Sequence, residues 1–480
     1  MSKTKRAMMI AISFAMALAL ALTGCQSGGG ATTTAATTAA TTEAATTTAA
    51  TTEATTTTEA ATTTTTPAEE RFTPERINFW SFDVTFTKHI GPYIDARGDK
   101  AHYVNPVVIP WSEFQIALNA ALMTGGKDAP DLIAVEVQGY LKYLNSDLTI
   151  PLSEVGITDK DVSEAGIYDY LVKSGMSNGV LKALPIQSTP GAWIYRPSIA
   201  KKYLGVDSPE QMHELIKDWD TMLATAYKIK EASGGKALLT PGFGDWYDAM
   251  CGGLTEPYLV DGKVNIDRKE IHDYFEYSRA MLQNDLSIGT FLWTPAWFEF
   301  AKGDGEIEVL GTLNAPWVLT GQIKDQIVDD SGKGILSYGD WAVCEPPFSF
   351  TSGGTFYMIP ANSQRKQAAA DLLRFFCLDA SEAGLGQWLV GQGDMSSSSV
   401  VNERNSVSFS NPICGGQNTL AVYNKIAQRM TPPKKTEYDQ WINVTLLWSA
   451  CYDYSTNLEL TWEGQVDAVT KQILDMLADQ

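Results

Sequence analysis

Ala129-Pro130-Asp131-Leu132-Ile133-Ala134-Val135-Glu136 is the stretch on which the fold turns. Four apolar residues bounded by Pro-Asp on one side and Glu on the other describe a short buried strand. Upstream, Trp111, Phe114, Leu118 and Leu122 recur at helical spacing, and Gly125-Gly126 ends that helix. Before it, Tyr103 to Ile109 reads as a strand stopped by Pro110, and Ile77 to Phe82 as a first strand breaking into polar Asp83. Strand, helix, strand in this order predicts a parallel α/β architecture.

Outward from this core, the N-terminus changes character. Lys3, Lys5 and Arg6 precede an apolar run from Met8 to Leu22, 15 residues long and short for a membrane span. It ends in Leu22-Thr23-Gly24-Cys25, which resembles a bacterial lipobox, so residues 1–24 are expected to be removed and Cys25 to carry lipid. Residues 25–73 are expected to be a tether. Ala31 to Thr66 is Ala and Thr broken only by Glu43, Glu53 and Glu59, with no large apolar side chain to offset the entropy of ordering. As a coil such a segment reaches roughly 35 Å.

The charge would keep an extracellular protein soluble and argues against one partner class. The chain of 480 residues has 36 Lys and Arg against 56 Asp and Glu, a net −20. Loss of Lys3, Lys5 and Arg6 leaves 33 against 56, or −23. Such a surface repels phosphate, so nucleic acid is not an expected partner.

Downstream, Leu184-Pro185 leads through an aperiodic stretch to Ala192-Trp193-Ile194-Tyr195, read as a crossing between lobes. Ser208, Pro209 and Gln211 start a helix, and Met212, Leu215, Trp219, Met222, Ala226 and Ile229 predict that it continues to 231 with one buried stripe. Gly242 to Asp248 is an aromatic loop-to-helix joint. Ile307 to Leu313 is expected to be a strand ending in a tip, Asn314-Ala315-Pro316-Trp317, that offers an amide and an indole. Ser352-Gly353-Gly354-Thr355 is a second crossing, its paired Gly permitting unusual backbone angles. Helices follow near 417–430, 438–453 and 463–477.

Chemical motifs are sparse. Five cysteines besides Cys25 are widely spaced with no CxxC, which favours buried thiols and leaves room for one disulfide. His213-Glu214-Leu215-Ile216-Lys217 starts like a zinc-protease helix but has Lys217 where the second His belongs. Neither a Gly-x-Ser-x-Gly elbow nor a P-loop is present, and no metal or cofactor is expected. Ser363-Gln364-Arg365-Lys366 reads as a helix cap. A glycosidase-type carboxylate pair stays open in so acidic a chain, because sequence does not give a separation.

From residue 76 onward the order of elements resembles the family 1 extracellular solute-binding proteins of ABC importers, the carbohydrate-binding group that includes maltose-binding protein. The carrying residues are Ala129-Pro130-Asp131-Leu132, Leu184-Pro185 to Tyr195, Gly305 to Trp317, and Ser352-Gly353-Gly354-Thr355-Phe356-Tyr357-Met358-Ile359-Pro360 before an Ala/Leu/Phe helix. The resemblance implies a two-lobe periplasmic-binding-protein-like α/β fold, crossed near 185–193, 345–353 and 391–400. Residues 74–187 plus 354–393 would form one lobe, and 188–353 plus 394–480 the other. It implies stacking platforms at Trp317 and Trp441, an aromatic wall at Trp246 or Tyr247, and further contacts from Trp80, Asp83, Glu136, Tyr195, Asn314 and Gly354. Val135, Gln138 and Thr189 depart from the maltose-binding pattern, which puts a maltodextrin ligand in doubt.

The residues suit sugar independently, since flat aromatics cover the C–H face of a ring and polar side chains bind its hydroxyl rim. The expected protein is a monomeric, non-enzymatic binding subunit, partnered by a carbohydrate, a permease and, through Cys25, the outer face of the cell membrane. Two alternatives remain: a surface carbohydrate-active enzyme, and a binder of another solute such as a polyamine.

Overall fold

The computed structural model describes residues 72–478, and the expected signal segment, Cys25 and the tether as far as residue 71 lie outside them. Residues from Pro74 onward make one compact unit. Its first sheet begins with strand β1 (Arg76–Ser81), paired in parallel with β2 (Tyr103–Val108) and with β3 (Leu132–Glu136). The helix Trp111–Thr124 makes the crossover, burying Phe114, Leu118 and Leu122. Short β4 (Leu184–Pro185) closes one edge.

A second, smaller sheet centres on β5 (Ala192–Tyr195), buried at every position. It is flanked antiparallel by β6 (Gly311–Asn314) and β7 (Ala342–Cys344). The chain then returns to the first sheet as β8 (Thr355–Met358), antiparallel to both β3 and β4. The first sheet therefore runs β2-β1-β3-β8-β4 and the second β6-β5-β7.

The three passages between the sheets lie side by side. Gln187 bridges Ser396, and Pro190 bridges Thr351. Gly191 N–H donates to the Phe350 carbonyl at 2.8 Å, Ser352 N–H to the Thr189 carbonyl at 3.2 Å, and Ser397 N–H to the Ile186 carbonyl at 3.1 Å.

Two expectations fail on local detail. The helix expected over 209–231 is two helices, Pro209–Glu214 and Trp219–Ala232. Asp218 makes a reciprocal capping box with Thr221 and starts the second one, a polar signal that outweighs the continuous apolar stripe. The strand expected over 307–313 is also divided. Glu308–Val309 pairs in parallel with Ala237–Leu238, and only Gly311–Asn314 joins β5.

The Pro-Asp turn has a physical basis. Asp131 is 1% exposed. Its carboxylate accepts from Asn78 N–H at 2.9 Å and Ser363 Oγ at 2.7 Å, and pairs with Arg365 at 3.1 Å. This ties β1, the entry to β3 and the helix Lys366–Cys377 to one point. Asp131→Ala strands Arg365 and two further donors, and should cost about 3 kcal/mol of unfolding free energy in urea.

Candidate functional site

The gap between the two sheets is walled by the residues that follow β3, by the crossings, and by segment 432–441. A cavity of about 490 Å³ has Val137 and Tyr140 on one side, Thr189, Gly353 and Gly354 at its base, and Lys435 opposite. A second, of about 280 Å³, lies between Gln138 and Gly139, just after β3, and Gln440 and Trp441. Gln115 Nε2 reaches Gln440 Oε1 at 3.5 Å across that gap, so the walls meet.

Charge converges here from three elements. Glu136 closes β3, and its Oε2 accepts from Gln138 N–H at 2.5 Å. Burial pushes its carboxyl up to about 7; Asp248 adds to the rise, while the Gln138 amide and Lys435 oppose it. Asp248 sits on the helix Phe243–Gly252, open to solvent yet crowded by protein. Burial and the nearby Asp245 push it to about 7 as well, against the pull of Lys435. Lys435 is the cation that both carboxylates sense.

The aromatic walls are ordered by the crossings. Trp317 Nε1 donates to the Ser352 carbonyl at 2.9 Å, and its ring lies against Gly353. A Cβ at Gly353 would stand 3.3 Å from that ring, and one at Gly354 would stand 3.2 Å from Thr189 Oγ1. With φ of +65° and +120°, these glycines let the second crossing pass between Trp317 and Thr189. Trp293, 40% exposed and held at φ +64°, lies 5.6 Å from Trp317 by ring centroid. A bulky side chain in the left-handed region is strained, and such strain concentrates at functional positions. Trp317 and Trp441 each immediately precede a π-helical turn, Val318–Ile323 and Ile442–Leu447. Wide turns of this kind recur at functional sites because they re-aim side chains.

The other sequence candidates separate. Trp246 is fully buried, with Nε1 donating to Ser278 Oγ at 3.0 Å, and is core rather than a cleft wall. Tyr247, 5% exposed, donates its hydroxyl to the Asn443 carbonyl and braces the helix that follows Trp441. Tyr195 is buried in the second sheet and borders a different cavity, with Ser198, Lys201 and Asp340. Asn314 is buried, hydrogen-bonded to Thr312 and Ser352, and so reaches the crossing rather than open space. Asp83 is exposed and caps the turn Val84–His89 through Thr85 N–H at 2.7 Å. Trp80 is half-buried against the helix Trp111–Thr124, its indole N–H enclosed without a partner.

Sequence reasoning passed over Asp248, Lys435, Gln440 and Trp293. For Asp248 the signal was present. Phe243, Trp246, Tyr247 and Met250 fall at i, i+3, i+4 and i+7, the spacing of a buried helical stripe, which turns Asp248 away from the core. Among the described residues, no group of three or more His, Cys, Asp or Glu is placed to hold a metal ion, and all five cysteines are free thiols.

The raised carboxyls carry a pH signature. A carboxyl whose folded pKa lies above its unfolded value binds more protons when folded, so stability falls as pH rises towards the folded pKa. Ligand-free protein should therefore melt at a higher temperature near pH 5 than near pH 8, through the window from about 4 to about 7. Glu136→Gln and Asp248→Asn should each flatten that slope in a thermal melt, and unchanged slopes would refute the assignment.

Comparison with known proteins places this geometry. A family model described as bacterial extracellular solute-binding protein matches residues 96–404. No curated protein matches the chain. Among solved structures, an extracellular solute-binding protein of family 1 aligns with TM-score 0.67 at 18% identity, covering 83% of this chain and 99% of its own. The ABC-transporter-associated binding protein of B. animalis subsp. lactis Bl-04, in complex with beta-1,6-galactobiose, aligns at 0.62 and 21% identity, covering 85% and 98%. The sugar-binding protein MalE of Xanthomonas citri aligns at 0.65 and 14%, covering 84% and 98%. With two lobes joined by three adjacent crossings and a family model over most of its length, the chain belongs to the bacterial extracellular solute-binding proteins.

Proposed function

We propose that this protein is the solute-binding subunit of an ABC importer, held to the outer face of the membrane by lipid on Cys25. It captures a sugar or oligosaccharide between lobes 74–187 plus 354–393 and 188–353 plus 394–480. The closed, loaded monomer is handed to a permease, and no reaction is catalysed. The observation that carries the reading is an aromatic face beside polar side chains in one cavity, where Trp441 and Gln440 line one wall and Gln138 the other. Trp317, stacked near Trp293 and packed on the crossing at Gly353 that lines the larger cavity, is the second aromatic candidate, and Glu136 and Asp248, close to Lys435, are candidate hydroxyl acceptors. Sugar-bound structures among the fold neighbours are consistent with it.

A second reading has its own observation. Glu136 and Asp248 lie close to each other, with Lys435 offsetting only part of their raised pKa, an arrangement that also suits a cationic solute such as a polyamine.

A thermal-shift screen of residues 67–480 against di- and oligosaccharides and polyamines separates the two, because a ligand that binds only the folded state raises the melting temperature. On the sugar reading, Trp317→Ala and Trp441→Ala each weaken binding about tenfold, the order of one lost stacking contact. On the cation reading those variants bind normally and Asp248→Asn does not. Product release from any glycan would instead identify an enzyme.

A further inference from the structure

Behind the Trp293–Trp317 wall runs a closed circuit of contacts that begins at one buried carboxylate. Asp245 lies in the first turn of the helix Phe243–Gly252 and is 1% exposed. Its Oδ1 accepts two hydrogen bonds, from Thr312 Oγ1 at 2.5 Å and from Trp297 Nε1 at 3.1 Å. Its Oδ2 is enclosed and unpartnered.

From Thr312 the path leads to a crossing. Asn314 Nδ2 donates to Thr312 Oγ1 at 2.8 Å, and Asn314 Oδ1 accepts from Ser352 Oγ at 3.3 Å. Ser352 is the residue whose N–H pairs with the Thr189 carbonyl, joining two lobe crossings. From Trp297 the path leads to the wall. Trp293 stands edge-on to Trp297 at 4.8 Å and against Trp317 at 5.6 Å, and Trp317 Nε1 returns to the Ser352 carbonyl.

We propose that Asp245 is a positioning residue: through Thr312 and Asn314 it sets the crossing at Ser352, and through Trp297 it sets the Trp293–Trp317 wall. A carboxylate suits this task. Charge-assisted hydrogen bonds are stronger than neutral ones, and in a dry interior each bond polarises the next. One acceptor atom holding two donors also fixes the two branches relative to each other. The wall that meets a ligand and the passage that bends on closure therefore share an anchor buried away from both. The purpose of this arrangement rests on reading the cleft as a binding site; its test does not.

The test is hydrogen–deuterium exchange on the full chain without ligand, followed in peptides spanning 350–354 and 291–298, with helix Lys269–Gln283 as reference. Thr312→Val keeps shape but cuts the crossing branch, and should speed exchange about tenfold in 350–354 alone. Asp245→Ala should speed both peptides, and Asp245→Asn, which keeps an acceptor oxygen for both donors but loses the charge, should speed both by less than Asp245→Ala. Should Asp245→Ala fail to fold, Trp297→Phe removes only the indole donor and should loosen 291–298. Unchanged protection at 350–354 in Thr312→Val overturns the proposal, and so does a uniform rise that includes the reference helix. A failed glycan screen leaves this result standing, and flat exchange leaves sugar binding standing.

Discussion

A chain that passes three times between two lobes must satisfy the backbone of every passage at a place where neither sheet can supply partners. Here the passages satisfy one another. The carbonyls of Ile186, Thr189 and Phe350 accept from Ser397, Ser352 and Gly191, so segments distant in sequence form a narrow ladder between the two sheets. A buried orphan amide costs as much as a lost hydrogen bond, so these segments hold together while still offering a place to bend.

Side chains around the ladder follow the same rule. Tyr170 and Ser188 share a hydrogen bond at 2.8 Å, and Tyr168 donates to Asn424 while accepting from Asn402 at 3.0 Å. Asn402 in turn receives Ser396 N–H at 3.1 Å and donates to the Ser396 carbonyl at 2.8 Å. All are buried, and an apolar filling would have stranded the backbone groups they meet. Lys182, by contrast, reaches from just before β4 to the Ser146 carbonyl at 2.5 Å, with burial pulling its ammonium below the ordinary range. The hinge is polar because its geometry leaves polar atoms to be paired.

What sequence could and could not disclose follows from the range of each interaction. β1, β2, β3 and the helix Trp111–Thr124 were legible because alternation and 3.6-residue periodicity are local consequences of burial on one face. The Pro-Asp turn was visible as a motif, though not its partners Ser363 and Arg365, more than 230 residues away. The break at Asp218 was missed because an unbroken apolar stripe was weighed above a four-residue cap. Trp246 was misplaced since an indole in the core and one in a cleft look alike along the chain, and only the i, i+3, i+4, i+7 stripe distinguishes them. Lys435 carried no local signal at all. Its meaning comes from Glu136 and Asp248, which the fold brings to it from elements 299 and 187 residues earlier.

That convergence bears on closure itself. Glu136 closes β3 of the first sheet and Asp248 lies on the helix Phe243–Gly252, so bringing these elements together brings like charges together and crowds both groups with protein. Each effect raises the carboxyl pKa, and both groups stand near 7. Lys435 offsets part of this repulsion but is one cation against two acids. On the proposed reading, an empty closed cleft would be held under electrostatic load, relieved by a proton or by a guest that donates hydrogen bonds to both acids. Hydroxyl groups on the rim of a sugar can do this while its C–H face lies on Trp317 or Trp441. On that reading, occupancy and closure are linked by desolvation of the two acids: the guest favours the closed state because it is what the carboxylates lack when water leaves.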